Sequence, residues 1–338
     1  MTTFVSRRAT RQITILGIGC LASGLIGACT SAAVGGAHSP SPAATTAPTP
    51  HPTVRPSSTP RPTPTGLLGS LDAGGAGWSL AMAGGALWIQ VDPPVDAIVR
   101  IDIATGSSKT AVPLGHKVKF GGEGLWALGD RWLARIDPTT GADMVRVSMD
   151  GAFALGDGAV WLFNELGLHR IDPDTGRVGT PIGPDLLTVC VAPKDLLIRF
   201  GSAWVACKEG KVVRVELSSG KVTLLPTEAG AHTLAMTDDA VWVTNYQAGS
   251  VSRIKAKSND VTTIANVGSG VGITVGDGYV WAAAPNGIAK IDPATASIVG
   301  TVPLGPGEYY DLVWDDGVIW ASTRGNQVLK VDPARAQP

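Results

Sequence analysis

Seven tryptophans recur along the chain at nearly constant spacing: Trp88, Trp126, Trp161, Trp204, Trp242, Trp281 and Trp320. The residue ten positions before each is where the repeats differ most in chemistry: Trp78, His116, Gly151, Lys194, His232, Val271 and Tyr310. A surface built from such a set could stack on a ring, pair with an anion or exchange a proton, depending on what stands beside it. Lys117, Asp195, Tyr309 and Asp311 are the sequence neighbours that extend the set, and Arg131, Glu165, Asn245, Tyr246 and Arg324 fall in later turns of the same units. Trp78, His116, Lys117, Lys194, Asp195, His232, Tyr309, Tyr310, Asp311 and Arg324 are therefore the candidate binding residues, with no catalytic residue assigned.

Other chemistry is poorly represented. Only three histidines follow residue 65, His116, His169 and His232, too few for a histidine-rich metal site. No Gly-x-Ser-x-Gly elbow, Cys-His pairing or phosphate loop is present, and the Gly-Asp-Gly turns lack the ligand density calcium needs. The sequence thus predicts no metal and no cofactor. After the first 65 residues there are 22 basic and 28 acidic residues, a balance that disfavours nucleic acid as partner.

The elements that position the candidates follow from the repeat. The tryptophans are 35 to 43 residues apart, and each is followed 9 to 12 residues later by a basic residue and at the next position by an aliphatic one, as in Arg100-Ile101, Arg214-Val215 and Lys330-Val331. Asp-Pro follows in four of the seven units. Unit five reads as four short strands, 232–237, 240–245, 251–255 and 261–266, with Asp, Gly and Ser at the turns and no helical period. Four-stranded units of this length are propeller blades, so residues 66–338 are expected to be all-β, a seven-bladed β-propeller. The last unit ends without its fourth strand, while Leu67-Leu68-Gly69-Ser70-Leu71 matches Ile298-Val299-Gly300-Thr301-Val302, the fourth strand of unit six. The N-terminal segment is expected to complete blade seven and remove an exposed edge. A residue repeated in every blade packs between blades; the tryptophans are read that way, and the repeated Arg or Lys as a blade-to-blade bond or a solvated face.

The pattern Gly-Asp-Gly-Ala-Val-Trp (156–161) followed by Arg-Ile-Asp-Pro-Asp-Thr-Gly (170–176) resembles the YVTN/NHL-type propellers, which include streptogramin-lyase-like proteins. The resemblance implies the fold over residues 66–338 and leaves function open, since such propellers serve as enzymes, scaffolds and sensors. It also implies a comparison at Ala229-Gly230-Ala231-His232, where the lyases place a strand histidine that works with further histidines, a glutamate and magnesium. The next unit here reads Gly270-Val271-Gly272-Ile273-Thr274 and offers neither His nor Glu. The expected function is non-catalytic binding or scaffolding of an envelope protein, a glycan or a small molecule, by a monomer. An extracytoplasmic lyase or hydrolase is the alternative.

Export is read from the first residues. Arg7, Arg8 and Arg11 precede an uncharged stretch, 13–28, broken by four glycines and short for a membrane span. It ends Ile26-Gly27-Ala28-Cys29, which resembles the bacterial lipobox and implies diacylglycerol on Cys29 after removal of a signal peptide, 1–28. Residues 29–65 carry nine prolines among Thr, Ser and Ala, a spacer of at most about 115 Å at about 3.1 Å per residue. The expected location is the outer face of the cytoplasmic membrane or the cell envelope. Cys190 and Cys207, the two cysteines after residue 65, would then meet an oxidising compartment, and both fall at one rim of the ring. A disulfide there would close a loop of about 17 residues and contribute about 3 kcal/mol; the competing reading is two buried thiols. Cys29→Ala is expected to leave the protein unprocessed or to release it into the medium. Mature-length Cys29→Ala protein fractionating with membranes would rule out the lipid anchor.

Overall fold

The computed structural model describes residues 66–183 and 186–338. The signal, Cys29 and tether expectations, residues 1–65, lie outside the described residues. What is described is a seven-bladed propeller: six four-stranded antiparallel sheets and one of three strands. In unit five the strands are Ala231–Met236, Ala240–Asn245, Ser250–Lys255 and Val261–Ile264, within one or two residues of the expected bounds.

The core is divided among the blade interfaces. Each of its seven apolar clusters contains one repeat tryptophan from one blade and strand residues of the next, as where Trp88 and Ile98 of blade one meet Val118, Leu125 and Ile136 of blade two. The same arrangement closes the circle, with Trp320 of blade seven against Leu80 and Leu87 of blade one. All seven tryptophans are buried, at no more than 4% exposure. A buried indole N–H must find an acceptor. Trp88, Trp161, Trp204 and Trp281 donate to the carbonyl five residues back, on the last residue of strand a, at 3.0–3.2 Å.

The repeated cation completes the interface. Arg100 donates to the Pro138 carbonyl, Arg135 to Asp174, Arg214 to the Ala256 carbonyl and Arg253 to the Ala294 carbonyl, each reaching the c–d turn of the following blade. Arg214 and Arg253 also lie over the rings of Trp204 and Trp242, their own blades' tryptophans, at 4.7 and 5.7 Å. Both expected roles occur: the blade-to-blade bond at Arg100, Arg135, Arg214 and Arg253, and a solvated position at Arg170, which is exposed.

Blade three departs from the four-strand plan. Its strands are Ala152–Gly156, Ala159–Asn164 and Gly167–Ile171, and the outermost place is taken by isolated bridges, Ile171 to Val178 and Leu168 to Ile182. Pro181 lacks a donor and interrupts any ladder there. The chain then forms one helical turn, Leu186–Val189, and reaches Cys190, which is bonded to Cys207 at the end of strand b of blade four. Their Cα atoms are 5.5 Å apart and both residues are fully buried.

Blade seven is built from both ends of the described chain. Its sheet runs Leu67–Asp72, Gln327–Val331, Val318–Thr323, Tyr309–Asp315, with Leu67 opposite Val331 and Asp72 opposite Gln327. The Gly66 N–H donates to Pro303 O and the Asp332 N–H to Gly66 O, while Thr301 and Gln337 exchange two backbone bonds of 2.7 and 2.9 Å. Blades six and seven are thus laced together by the chain ends. Deleting residues 66–72 is expected to lower the melting temperature by at least about 10 °C and to cause concentration-dependent aggregation. A monomeric product melting like the full chain would show that closure does not need this strand.

Candidate functional site: the channel mouth

Strand a of each blade lines the central channel. In five of the seven blades its first residues slip register against strand b, between Gly77 and Leu80, Gly115 and Lys117, Pro193 and Asp195, Ala231 and Leu234, and Tyr309 and Leu312. Trp78, His116, Lys194, His232 and Tyr310 lie inside these irregularities. An extra residue in one strand bends it and re-aims its side chain, so the slips turn five of the seven variable positions away from the ladder. Hydroxyls take up the freed backbone groups: Ser79 with Val118, Thr244 with the Thr233 N–H and Ser322 with the Asp311 N–H, at 3.0–3.2 Å.

An aromatic recess of about 480 Å³ opens between blades five, six, seven and one. Trp78 and Tyr310 stack across the blade seven–blade one boundary with ring centroids 4.0 Å apart. Trp78 donates its indole N–H to Asp92. The Tyr310 hydroxyl donates to Glu308 at 2.5 Å, and Glu308 also holds Arg324 at 3.2 Å. Burial, with the Glu308 charge beside it, pushes the Tyr310 hydroxyl up to about 12. On the opposite side His232 stands edge-on to Tyr246, with centroids 5.7 Å apart. Gly270 lies in the wall, where a Cβ would come within 1.9 Å of the Ala283 carbonyl oxygen; only glycine leaves the recess its shape.

Below lies a polar chamber of about 310 Å³, continuous with the recess because Trp78, His232, Val271 and Tyr310 line both. On its floor Lys117 and Lys119 of blade two each place Nζ 2.8 Å from Asp195 Oδ1 of blade four. Asp195 Oδ2 accepts the Leu234 N–H of blade five at 3.0 Å. Burial alone would raise the Asp195 carboxyl; the two ammonium groups outweigh it and hold it well below the usual carboxylate range. The Lys119 ammonium is lowered by burial, against the pull of Asp195. Asp311 accepts the N–H groups of Leu80 and Leu312, both at 2.9 Å, and burial raises it to about 6.

The expected site residues therefore divide. Trp78, Lys117, Lys194, Asp195, His232, Tyr310 and Asp311 line the chamber. His116 also reaches it, and its ring meets Asp130 at 2.8 Å in an open position, with Asp130 83% exposed. Arg324 stays at the outer rim on Glu308. Tyr309 is buried in the core between blades six and seven, its hydroxyl donating to Gly305 O at 3.0 Å, and shows only part of its surface to the recess. Lys119 and Glu308 are absent from the sequence-derived set. Lys119 could have been found by the two-residue period of a strand, which puts it on the same face as Lys117. Among the described residues the grouping with metal-type ligands is Cys190, Cys207 and Glu209, and its two sulfurs are joined as a disulfide.

His232 carries a measurable signature. Burial first, then the Lys117 charge, lowers its imidazole to about 4. The folded state binds this proton less readily than the unfolded chain. Its stability is therefore full above the unfolded value and falls as pH drops from about 6.5 to about 4. His232→Gln is expected to abolish an acid-side loss on the order of 2 kcal/mol, read by denaturant unfolding at both ends of that window. Asp311 acts in the opposite sense over much of the same range, so the wild-type–variant difference isolates the imidazole. Equal acid losses in the two proteins would show that His232 titrates as it does in the unfolded chain.

No protein-family profile and no curated protein sequence matches the chain. Solved structures do. Virginiamycin B lyase from Staphylococcus aureus superposes with a TM-score of 0.64 at 16% identity, over 78% of this chain and 98% of that one. BamB from Moraxella catarrhalis gives 0.55 at 12%, over 76% and 84%. The extracellular domain of a hybrid two component system from B. thetaiotaomicron gives 0.60 at 14%, over 76% of this chain and 40% of that one. At such identities the likeness is one of architecture, and the chain shares the β-propeller fold of these proteins.

Proposed function

We propose that the protein is a non-catalytic binding propeller that works outside the cytoplasmic membrane, held there by a lipid on Cys29. The observation that supports binding is the mouth itself, an aromatic recess over a floor whose carboxylates are already engaged. Asp195 is occupied by two ammonium groups and a backbone N–H, and Asp311 by two backbone N–H groups. A general acid or base needs a proton site facing the substrate, whereas a binding site needs shape and fixed partners. The exported location is supported by the basic-apolar leader, the lipobox-like Cys29, the buried disulfide and the presence of an extracellular domain among the structural neighbours. Among the described residues no helix is long and apolar enough to cross a membrane.

An extracytoplasmic lyase or hydrolase is the second reading. It is favoured by the fold shared with virginiamycin B lyase and by His232, a neutral imidazole standing in the recess. The two are separated by purifying the tethered protein and its Trp78→Ala, Tyr310→Ala variant from solubilised envelopes. Binding predicts a partner or ligand that co-purifies with the parent and is reduced about tenfold with the variant. Recovery of nothing, together with chelator-sensitive turnover of an envelope compound, would favour the enzyme.

A further inference from the structure

Lys117 and Lys119 are two residues apart on one strand and enter the chamber from the same face. Because both ammonium groups sit 2.8 Å from the same oxygen, Asp195 Oδ1, their nitrogens are no further apart than twice that distance. Each has a second acceptor: the Lys194 carbonyl at 3.4 Å for Lys117, the Leu196 carbonyl at 3.1 Å for Lys119. A lysine ammonium carries three hydrogens. The third on Lys117 has no hydrogen-bond partner among the described residues, while the Lys119 ammonium also stands 5.8 Å from the centroid of the Phe153 ring. Both lysine side chains remain 24% exposed, whereas that of Asp195 is 7% exposed, so the chamber meets the cations rather than the anion that holds them.

The wider charge count points the same way. Lys117, Lys119 and Lys194 line the chamber with Asp195 and Asp311, three cations against two carboxylates. Asp311 has both oxygens turned to backbone N–H groups. Two neighbouring N–H donors of positive charge match the two oxygens of a carboxylate, with charge-assisted bonds stronger than neutral ones. The Trp78–Tyr310 stack lines the same chamber, with Trp78 41% exposed and both rings shared between recess and chamber.

The geometry points to a small organic oxyanion bearing a planar apolar ring as the ligand class of this mouth, its anionic end on Lys117 and Lys119 and its ring against the Trp78–Tyr310 wall. The inference rests on the reading of the mouth as a ligand site and adds what the ligand must carry. Aliphatic acids lack the ring and aromatic amides lack the charge, so neither satisfies both halves.

Titration calorimetry with indole-3-acetate and its neutral isostere indole-3-acetamide tests it on the full propeller. The acid is expected to bind at least about tenfold more tightly than the amide and to lose that advantage in high salt. Lys117→Met, which leaves Asp195 its Lys119 partner, is expected to weaken the acid about tenfold and spare the amide, and Trp78→Ala to weaken both. Equal affinities for acid and amide, no heat from either, or a preference that survives Lys117→Met would each overturn the assignment. If Lys117→Met does not fold, the acid–amide comparison in the parent protein decides alone. Failure here with continued mouth-dependent recovery of an envelope partner would remove the anion site and leave the binding function. Chelator-sensitive turnover would remove the binding function whatever the acid–amide ratio.

Discussion

The ring depends on one contact repeated seven times: a tryptophan of one blade buried against the strands of the next. A four-stranded sheet has two faces to cover and cannot do so alone. Truncating a buried aromatic of this kind costs about 3–5 kcal/mol. The cation of strand c extends the contact, since an arginine that lies on its own tryptophan and donates to the neighbouring turn fixes the angle between two sheets as well as their separation. Because packing is handled at this depth, the first residues of strand a are released from it. They can be tryptophan, histidine, lysine, valine or tyrosine without altering the ring.

That freedom is used in a particular way. The Lys117–Asp195–Lys119 cluster joins blades two and four, and the Leu234 N–H carries it to blade five; Asp311 of blade seven reaches Leu80 of blade one. The ionic floor of the recess is therefore also a set of ties across the channel. Buried ion pairs often contribute little net stability, since desolvation offsets attraction, yet removing one partner leaves a buried charge at a cost of about 3–5 kcal/mol. Specificity and rigidity are gained from the same atoms: the anchors that would meet a ligand are already held in place before it arrives.

The architecture was legible because its signal is local and repeated. Each tryptophan and the basic–aliphatic pair that follows it lie within one blade, and the two together recur seven times. Blade three shows where that signal thins: Gly179, Pro181 and Gly183 leave its outer place to bridges at Val178 and Ile182, although the unit has the same landmarks as the rest. The mouth was legible in outline, since counting ten residues back from each tryptophan selects Trp78, Lys194, His232 and Tyr310. Its partnerships were not. Lys119 and Asp195 are joined across the channel between non-adjacent blades, and no spacing in the chain encodes that distance. Tyr309 adjoins Tyr310 in sequence, but the register slip opens just after it, so Tyr309 still packs into the core beside Trp281 while Tyr310 and Asp311 turn to the chamber.

The closing sheet of blade seven sets an order in time. Leu67 pairs with Val331, so the first described strand has no ladder to join until the last one exists. Bringing such distant segments together in a flexible chain costs about 5 kcal/mol of loop entropy if nothing between them has formed. The six intervening blades reduce that cost, because each interface that assembles brings the two ends closer. Whichever interfaces assemble first, the seam can close only once strand 327–331 is in place, and until then the leading strand is an unpaired edge. A chain made start-first carries that open edge for the whole of its synthesis, and loses it only when residue 331 arrives.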